Sequence, residues 1–353
     1  MTQLSKRINS FAELGNILSS LNNKEQNSEY SKFHDLLNEA IRKTCYENPW
    51  FFEDSYNYGI KNIAKWLNKE QLSKWLNPYQ IEETNKKTVA VIMAGNIPLV
   101  GFHDFLCILI TGNTILTKLS HNDKYVLPAI AKIITELNND FENKILFAEE
   151  KLENFEAIIA TGSNNSAQYF EYYFKKYPNI IRKSRNSVAV LTGKETENEL
   201  ILLGSDLFDF FGMGCRNVSK IYIPQNYKIE TFFDLLTPWK HLIDNNKYYN
   251  NYTYHKAIFL LNSDVFFDLE YALFIESASF SSPVAVYNFE RYETLEKVQS
   301  NLTTNAEAIQ CVVGLENQLF KTVPFGKSQA PELWDYADNV DTVKFILSVN
   351  STN

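Results

Sequence analysis

The first 85 residues carry apolar side chains at spacings of three and four, which is the pattern of amphipathic helices. The segments with this pattern are FAELGNILSSL, YSKFHDLLNEAIRKTCYEN and YGIKNIAKWLNKEQLSKWL. No strand pattern interrupts them, and the polar stretch EETNKK follows. The sequence therefore predicts an N-terminal helical region over residues 1–85.

Beyond residue 85, short apolar runs alternate with helical patterns. The runs TVAVIMA, NTILTKLS and FEAIIATGS are each followed by a helix-like segment. This alternation predicts a parallel, doubly wound sheet. Ligands bind such sheets at the carboxyl ends of the strands, so we expect cofactor loops at 94–98 and 160–163.

The alternation restarts at Ser187 with VAVLTG, a helix through ELILLGSDLFDFFGMG, VSKIYIP, a helical and polar stretch to Tyr254, KAIFLLN and SPVAVYNFE. We interpret this part as a second α/β unit. The tail contains TVKFILSV, which we expect to form an edge strand. The predicted divisions are a helical region at 1–85, a cofactor-binding α/β domain at 86–192, a catalytic α/β domain at 193–328 and a tail at 329–353.

The composition is that of a globular protein, with 353 residues, 45% hydrophobic residues and a net charge of −8. That charge argues against a broad nucleic-acid surface. The four cysteines form no CxxC pair and the start carries no signal-peptide pattern, so we expect a cytoplasmic protein. The apolar stretch at 99–119 is interrupted by polar residues, which argues against a membrane span. The five histidines are scattered, so no metal site is expected.

Cys215 lies in the hexapeptide GMGCRN, in a chain with only 12 glycines. Flanking glycines allow a sharp turn and leave a thiol open to a substrate carbonyl, with backbone N–H groups near the oxyanion. Taken alone, the pattern fits a buried cysteine beside a turn equally well. Cys107 and Cys311 lie in apolar runs and are expected in the core.

The two predicted cofactor loops are open to more than one interpretation. Gly95-Asn96 offers backbone donors and an amide at a helix N-terminus, but it is also a common turn pair. Lys118 ends a predicted strand, where a lysine is usually solvated. Gly162-Ser163 can admit a pyrophosphate, although the chain has no GxGxxG or GxxxxGK[ST] motif.

Taken together, AGNIPLVG, ITGNTILTKLS, ATGS, FFGMGCRNVSKIYIP, SPVAVYNFE and GKSQAPELWDYADNVDTVKFI occur in an order that resembles the bacterial fatty acyl-CoA reductase (LuxC) family of the aldehyde dehydrogenase superfamily. The N-terminal helical region carries little of this resemblance. The resemblance implies an aldehyde dehydrogenase-like α/β fold of two doubly wound parallel-sheet units with an N-terminal helical region.

The resemblance also implies roles for individual residues. Cys215 would be the nucleophile that carries the acyl group as a thioester, and Asn96 with the Cys215 backbone N–H would form the oxyanion hole. Lys118 would contact the cofactor ribose or phosphate, and Glu276 the ribose. The full set of implied cofactor-binding residues is Lys118, Ser120, His121, Gly162, Ser163 and Glu276.

Two departures from the superfamily pattern shape the expected reaction. Aldehyde dehydrogenases carry a glutamate base before the cysteine, whereas this chain has no acid between Glu171 and Glu195. Hydrolysis of the thioester should then be slow, which favours acyl-CoA reduction to aldehyde. His121 stands where NAD-preferring enzymes often place an acid, and histidine does not repel a 2′-phosphate as a carboxylate does, which favours NADPH.

The sequence therefore predicts NADPH-dependent reduction of a fatty acyl thioester, from acyl-CoA or an acyl-protein, to the aldehyde. The alternatives are an aldehyde dehydrogenase that forms a free acid and a non-catalytic subunit of an acyl-activating complex. The expected partners are the thioester substrate and an acyl-activating or acyl-carrier protein. The superfamily's edge-strand assembly implies a homo-oligomer.

Overall fold

The computed structural model describes residues 2–22 and 29–351. The chain divides into two compact units, of which unit 1 comprises residues 1–183 with 332–353 and unit 2 comprises residues 184–331. The division falls before the strand VAVLTG, earlier in the chain than the predicted boundary at 192. The tail, predicted as a separate segment, lies with unit 1.

Unit 1 begins with the N-terminal helices, and their bounds are α1 Gln3–Ser19, α2 Ser31–Glu47, α3 Glu53–Trp66 and α4 Lys69–Leu76. Their apolar faces pack into one core, to which Phe11, Leu14 and Leu37 contribute fully buried side chains. Burial of these faces stabilises helices that would be marginal in isolation. The predicted helical region is confirmed.

The sheet of unit 1 has the strand order β3-β2-β1-β4-β5, and its pairs are parallel. Its strands are β1 Thr88–Ile92, β2 Thr114–Lys118, β3 Ile145–Phe147, β4 Ala157–Thr161 and β5 Asn179–Arg182. The helices around it are α5 Phe102–Ile110, α6 Val126–Leu137 and α7 Asn164–Phe174, with a 3₁₀ turn at Asn139–Phe141. The strand order reverses between β1 and β4, which in such sheets opens a crevice at the carboxyl ends.

Unit 2 is built on a second sheet, ordered β11-β6-β7-β10-β9-β8. Its strands are β6 Asn186–Val190, β7 Val218–Pro224, β8 Phe266–Asp268, β9 Leu273–Glu276, β10 Val286–Tyr292 and β11 Ile309–Gly314. Its helices are α8 Glu197–Phe208, α9 Ile229–Leu235, α10 Asn246–Asn262 and α11 Leu295–Thr304, with 3₁₀ turns at Asp209–Gly212, Thr237–Asp244 and Ala306–Ala308. The sheet is parallel except that β8 runs antiparallel to β9. The expected architecture of two α/β units is confirmed.

The predicted edge strand in the tail is wrong. TVKFILSV belongs to a helix, α12 Thr342–Asn350, which packs against α5 after a 3₁₀ turn at Ala337–Asn339. The buried side chains of α12 include Val343, Ile346 and Val349, whose spacing of three is helical. Asp341 caps the helix by accepting a hydrogen bond from the Lys344 N–H at 2.8 Å.

The segment KAIFLLN, which was predicted to follow the helical stretch as part of the strand alternation, forms the end of α10. Its short apolar run is ambiguous between strand and helix, and the helix that starts after the Asn245 cap continues through it. The helix ends at Ser263, which takes the left-handed conformation at φ 60°. Among residues 2–22 and 29–351, no helix has the length and apolar character needed to cross a membrane.

Candidate active site

The sheet of unit 1 brings several predicted site loops to one edge. Ile92 at the end of β1 pairs with Lys118 on one side and with Ala160 on the other. Because neighbouring strands lie roughly 5 Å apart, the loops after β1, β2 and β4 start within roughly 10 Å of one another. The residues that these loops carry are Asn96, Lys118, Ser120, His121, Gly162 and Ser163.

A buried carboxylate, that of Asp123, holds the loop that carries Asn96. A Cβ on Gly95 would lie 2.5 Å from the Ser120 Cβ, so only glycine allows this close approach between the loops after β1 and β2. Leu99 has φ 55°, and its N–H donates to Asp123 at 2.7 Å. The Asp123 pKa is raised by burial, against the lowering effect of its hydrogen bonds. The side chain of Asn96 itself is exposed.

The loop after β2 presents polar groups at the same edge. Lys118 Nζ donates to the Glu150 carbonyl at 2.6 Å, which holds the ammonium group at the rim. Ser120 Oγ accepts from the Asn122 N–H at 3.3 Å, and His121 is exposed. A cation, a hydroxyl and an imidazole therefore follow one another at the end of β2.

Gly162 and Ser163 join β4 to the N-terminus of α7. A Cβ on Gly162 would lie 2.9 Å from the Ser166 Cβ, so the glycine permits close packing of the strand end on the helix. Ser163 caps α7, and its Oγ accepts from the Ser166 N–H at 3.2 Å. A helix N-terminus at the point where the strand order reverses favours an anionic group such as a pyrophosphate, so these residues fit a dinucleotide.

In unit 2, Cys215 lies in a sharp reversal between α8 and β7. Phe210, Phe211 and Gly212 have φ values of 54°, 58° and 73°, all in the left-handed region. This conformation costs the two phenylalanines about 1–2 kcal/mol each. The reversal ends in a turn in which the Asn217 N–H donates to the Gly214 carbonyl at 3.0 Å, and Cys215 is half-buried within it.

The side chain of Asn217 fixes this turn from inside. Its Oδ1 accepts from the Gly214 N–H at 2.8 Å, and its Nδ2 donates to the carbonyls of Asp206, Leu207 and Asp209 at 3.2, 3.4 and 2.8 Å. Asn217 is 2% exposed, so water cannot reach these groups. Without the Asn217 amide they would be buried with unsatisfied hydrogen bonds. One amide thus joins the end of α8 to the residue that precedes Cys215.

The residues beside the thiol are also anchored. The Ser187 hydroxyl donates to the Cys215 carbonyl at 3.0 Å, and Arg216 Nε donates to the Ser328 carbonyl at 2.6 Å. Cys311 is half-buried and lies 3.1 Å from the Ser187 Oγ, which differs from the expected core position.

Two carboxylates precede Cys215 in the same segment. Asp206 accepts from the N–H groups of Gly326 and Ser328 at 2.7 and 2.9 Å. Burial, and then the charge of Asp206, raise the pKa of Asp209 to about 7. A carboxyl group with such a pKa exchanges protons at neutral pH.

Glu276 belongs to the sheet of unit 2. It ends β9, pairs with Phe289 of β10, and through it is level with Ile221 of β7. Cys215 precedes the start of β7 at Val218. The ribose contact of Glu276 stays a prediction.

Sequence reasoning missed the supporting residues Asn217, Ser187 and Asp123. The one sequence signal for such residues is a polar side chain close to a candidate residue, such as Asn217 at the end of GMGCRN. Within residues 2–22 and 29–351, no cluster of three or more histidine, cysteine, aspartate or glutamate side chains is arranged to hold a metal ion.

Comparison with protein-family models finds one similarity. The family model for acyl-CoA reductase (LuxC) matches residues 13–181. This part of the chain is therefore similar to the LuxC acyl-CoA reductases. The match begins in α1, so the N-terminal helices carry more of the family pattern than we expected. The match ends before Cys215, and it supports an aldehyde-related oxidoreductase.

Solved structures show the same fold for both units. Aldehyde dehydrogenase 21 from Physcomitrella patens, in complex with the reaction product succinate, has a TM-score of 0.66 and 10% identity over 99% of this chain and 85% of its own. AldA indole-3-acetaldehyde dehydrogenase from P. syringae, in complex with NAD+, has a TM-score of 0.62 and 12% identity over 89% of this chain and 76% of its own. No curated protein matches the chain.

Proposed function

We propose that this LuxC-like chain reduces a fatty acyl thioester to the aldehyde through an acyl group on Cys215. The observation that carries the proposal is the pinned turn at Gly214–Asn217, which holds a half-buried thiol at the start of a strand. A nucleophile on a rigid turn loses little entropy when it meets its substrate.

In the proposed reaction the Cys215 thiolate attacks the thioester carbonyl, the new carbon–sulfur bond forms, the substrate's own carbon–sulfur bond breaks, and the substrate thiol group leaves as a thiolate. We assign Asn96 as the amide donor to the oxyanion, a role that in other enzymes contributes about 3–4 kcal/mol. The acyl donor is acyl-CoA or an acyl-loaded protein.

The polar loops at the edge of the unit 1 sheet support our proposal that the chain binds a nicotinamide dinucleotide. The solved AldA structure is a complex with NAD+. When bound, NADPH would supply the hydride that converts the acyl group to the aldehyde and releases the Cys215 thiolate. Gly162 and Ser163 would hold the pyrophosphate at the N-terminus of α7, and Lys118 the ribose or phosphate. The exposed His121 leaves room for a 2′-phosphate that a carboxylate would repel.

Release as aldehyde rather than acid is supported by the segment where the superfamily's base would lie. That segment contains β5, and its Arg182 forms a buried ion pair with Asp104 at 2.6 Å. No acid lies between Glu171 and Glu195, so the acyl-cysteine lacks the superfamily's means of activating water.

The decisive experiment is acyl transfer from radiolabelled long-chain acyl-CoA without NADPH. Wild type should retain one label per chain and release it as aldehyde when NADPH is added, whereas Cys215→Ala should retain none. Cys45→Ala is the matched control, because Cys45 is also half-buried but lies in α2, and it should label like wild type.

Label that persists in Cys215→Ala would refute the nucleophile assignment. Rapid formation of free acid from aldehyde, without CoA, would refute reduction as the reaction. For the cofactor, wild type should prefer NADPH and His121→Glu should shift the preference toward NADH. A wild-type preference for NADH would contradict our interpretation of His121.

A further inference from the structure

Strand β6 meets an irregularity on each side at Ser187. Toward β7, the register passes from Ser187 with Val218 to Val188 with Lys220, which leaves an extra residue on β7. Toward β11, the register shifts between Ile309 and Val312. Bulges re-aim side chains and are common beside active sites, so two of them at one residue indicate a built feature.

The hydroxyl that these bulges aim has three partners. Ser187 Oγ donates to the Cys215 carbonyl at 3.0 Å, accepts from the Cys311 N–H at 3.2 Å, and lies 3.1 Å from the Cys311 Sγ. The Ser187 N–H also donates to the Asn217 carbonyl at 3.3 Å. Ser187 is fully buried, so its hydroxyl exchanges no bond with water.

The chemistry of a hydroxyl fixes the direction of each bond. A serine hydroxyl has one proton and two lone pairs, and a carbonyl can only accept. The proton of Ser187 therefore points to the Cys215 carbonyl, and one lone pair takes the Cys311 N–H. The remaining lone pair faces the Cys311 thiol, so the three contacts together are compatible with one orientation of the Ser187 hydroxyl.

We propose that Ser187 is a positioning residue that holds the Cys215 peptide for acyl transfer. The role in acyl transfer rests on the proposed function, but the test of the positioning role does not depend on that function. A carbonyl oxygen that is hydrogen-bonded repels a nearby thiolate less, so Ser187 favours the ionised, reactive form of Cys215.

The test is the rate of iodoacetamide alkylation of each cysteine, followed by peptide mass spectrometry from pH 6 to 10. Ser187→Ala should alkylate Cys215 about three- to tenfold more slowly at neutral pH, with the rate profile displaced to higher pH, as expected for one lost hydrogen bond. Ser187→Thr keeps the hydroxyl and should restore the rate. Asp206, Asp209 and Arg216, the charged side chains of the same segment, are unchanged in these variants.

Cys311→Ala is the matched control, because it removes a thiol but leaves the Ser187 bond to the Cys215 carbonyl. It should alkylate Cys215 within twofold of wild type. Circular dichroism would confirm that each variant is folded, and the buried Cys107 should stay unreactive in all of them.

An unchanged rate and profile for Cys215 in folded Ser187→Ala would overturn the proposal, as would an equal loss in Cys311→Ala. Alkylation needs no substrate, so it separates this inference from the proposed function. If Ser187→Ala slows alkylation while wild type transfers no acyl group, the positioning role stands and the proposed reaction fails.

Discussion

The buried ion pair between Asp104 and Arg182 should be the most sensitive electrostatic contact of unit 1. The two side chains share bonds of 2.6 and 2.9 Å and are 6% and 8% exposed. Burial alone lowers the pKa of Arg182, but the charge and hydrogen bonds of Asp104 raise it overall. Arg182 also donates to the Thr342 hydroxyl at 3.2 Å, which ties β5 to the start of α12.

Asp104→Ala should leave the guanidinium group buried without its counterion. Removal of one partner from a buried pair costs about 3–5 kcal/mol. For a unit of this size, 1 kcal/mol corresponds to a shift of about 2–4 °C, so the Tm should fall by about 6–20 °C. Differential scanning calorimetry of the full chain would measure the shift.

Two further variants make the comparison specific. Glu171→Ala removes a surface pair with Lys183, in which both side chains are about half exposed, and should cost less than about 1 kcal/mol. Asp104→Leu with Arg182→Met removes both charges and should recover most of the loss. The reasoning fails if Asp104→Ala lowers the Tm no more than Glu171→Ala does, or if the double variant is as unstable as Asp104→Ala.

Three other predictions concern the site loops. Asn217→Ala should lower the free energy of unfolding by roughly 2–3 kcal/mol in urea titrations, because it removes the bonds that fix the turn. It should also slow acylation of Cys215 at least tenfold in single-turnover assays. Gly95→Ala forces Ser120 to move and should weaken NADPH binding, measured by fluorescence titration, without changing Cys215 alkylation. Because the Asp209 pKa is raised to about 7, the wild-type free energy of unfolding should fall as pH rises from about 4 through 7. Asp209→Asn should remove this slope and be more stable at pH 8, by at most roughly 4 kcal/mol.

The sequence predicts the central strands well because their environment is simple. Val89–Val91 of β1 and 157–160 of β4 are buried on both faces, so they appear as continuous apolar runs. Short strands near the sheet edges, such as Ile145–Phe147 and Phe266–Asp268, carry too few residues for a period to emerge. Where a β-branched run was mistaken for a strand, in Thr342–Asn350, the spacing of three was the better guide.

The candidate site likewise contains residues that the sequence predicts and residues that it does not. Cys215 could be proposed from the sequence because the two glycines that precede it are local features. Ser187 was missed because its bond to the Cys215 carbonyl joins residues 28 apart, and only the order of β6 and β7 brings them together. Asn217 was missed because a polar residue at a strand start has no distinguishing pattern until its three carbonyl partners are known.

The N-terminal helices stabilise the loop that carries Asn96. Tyr56 of α3 donates to Asp123 at 2.7 Å, and the same carboxylate accepts from the N–H of Leu99 in its left-handed conformation. Such a backbone conformation persists only when surrounding contacts enforce it. Asn48 at the end of α2 adds a bond to the Asn122 carbonyl at 3.2 Å, in the loop after β2. The helices therefore brace the loops after β1 and β2, which gives a physical reason for a match to the family model that begins in α1 rather than at the first strand.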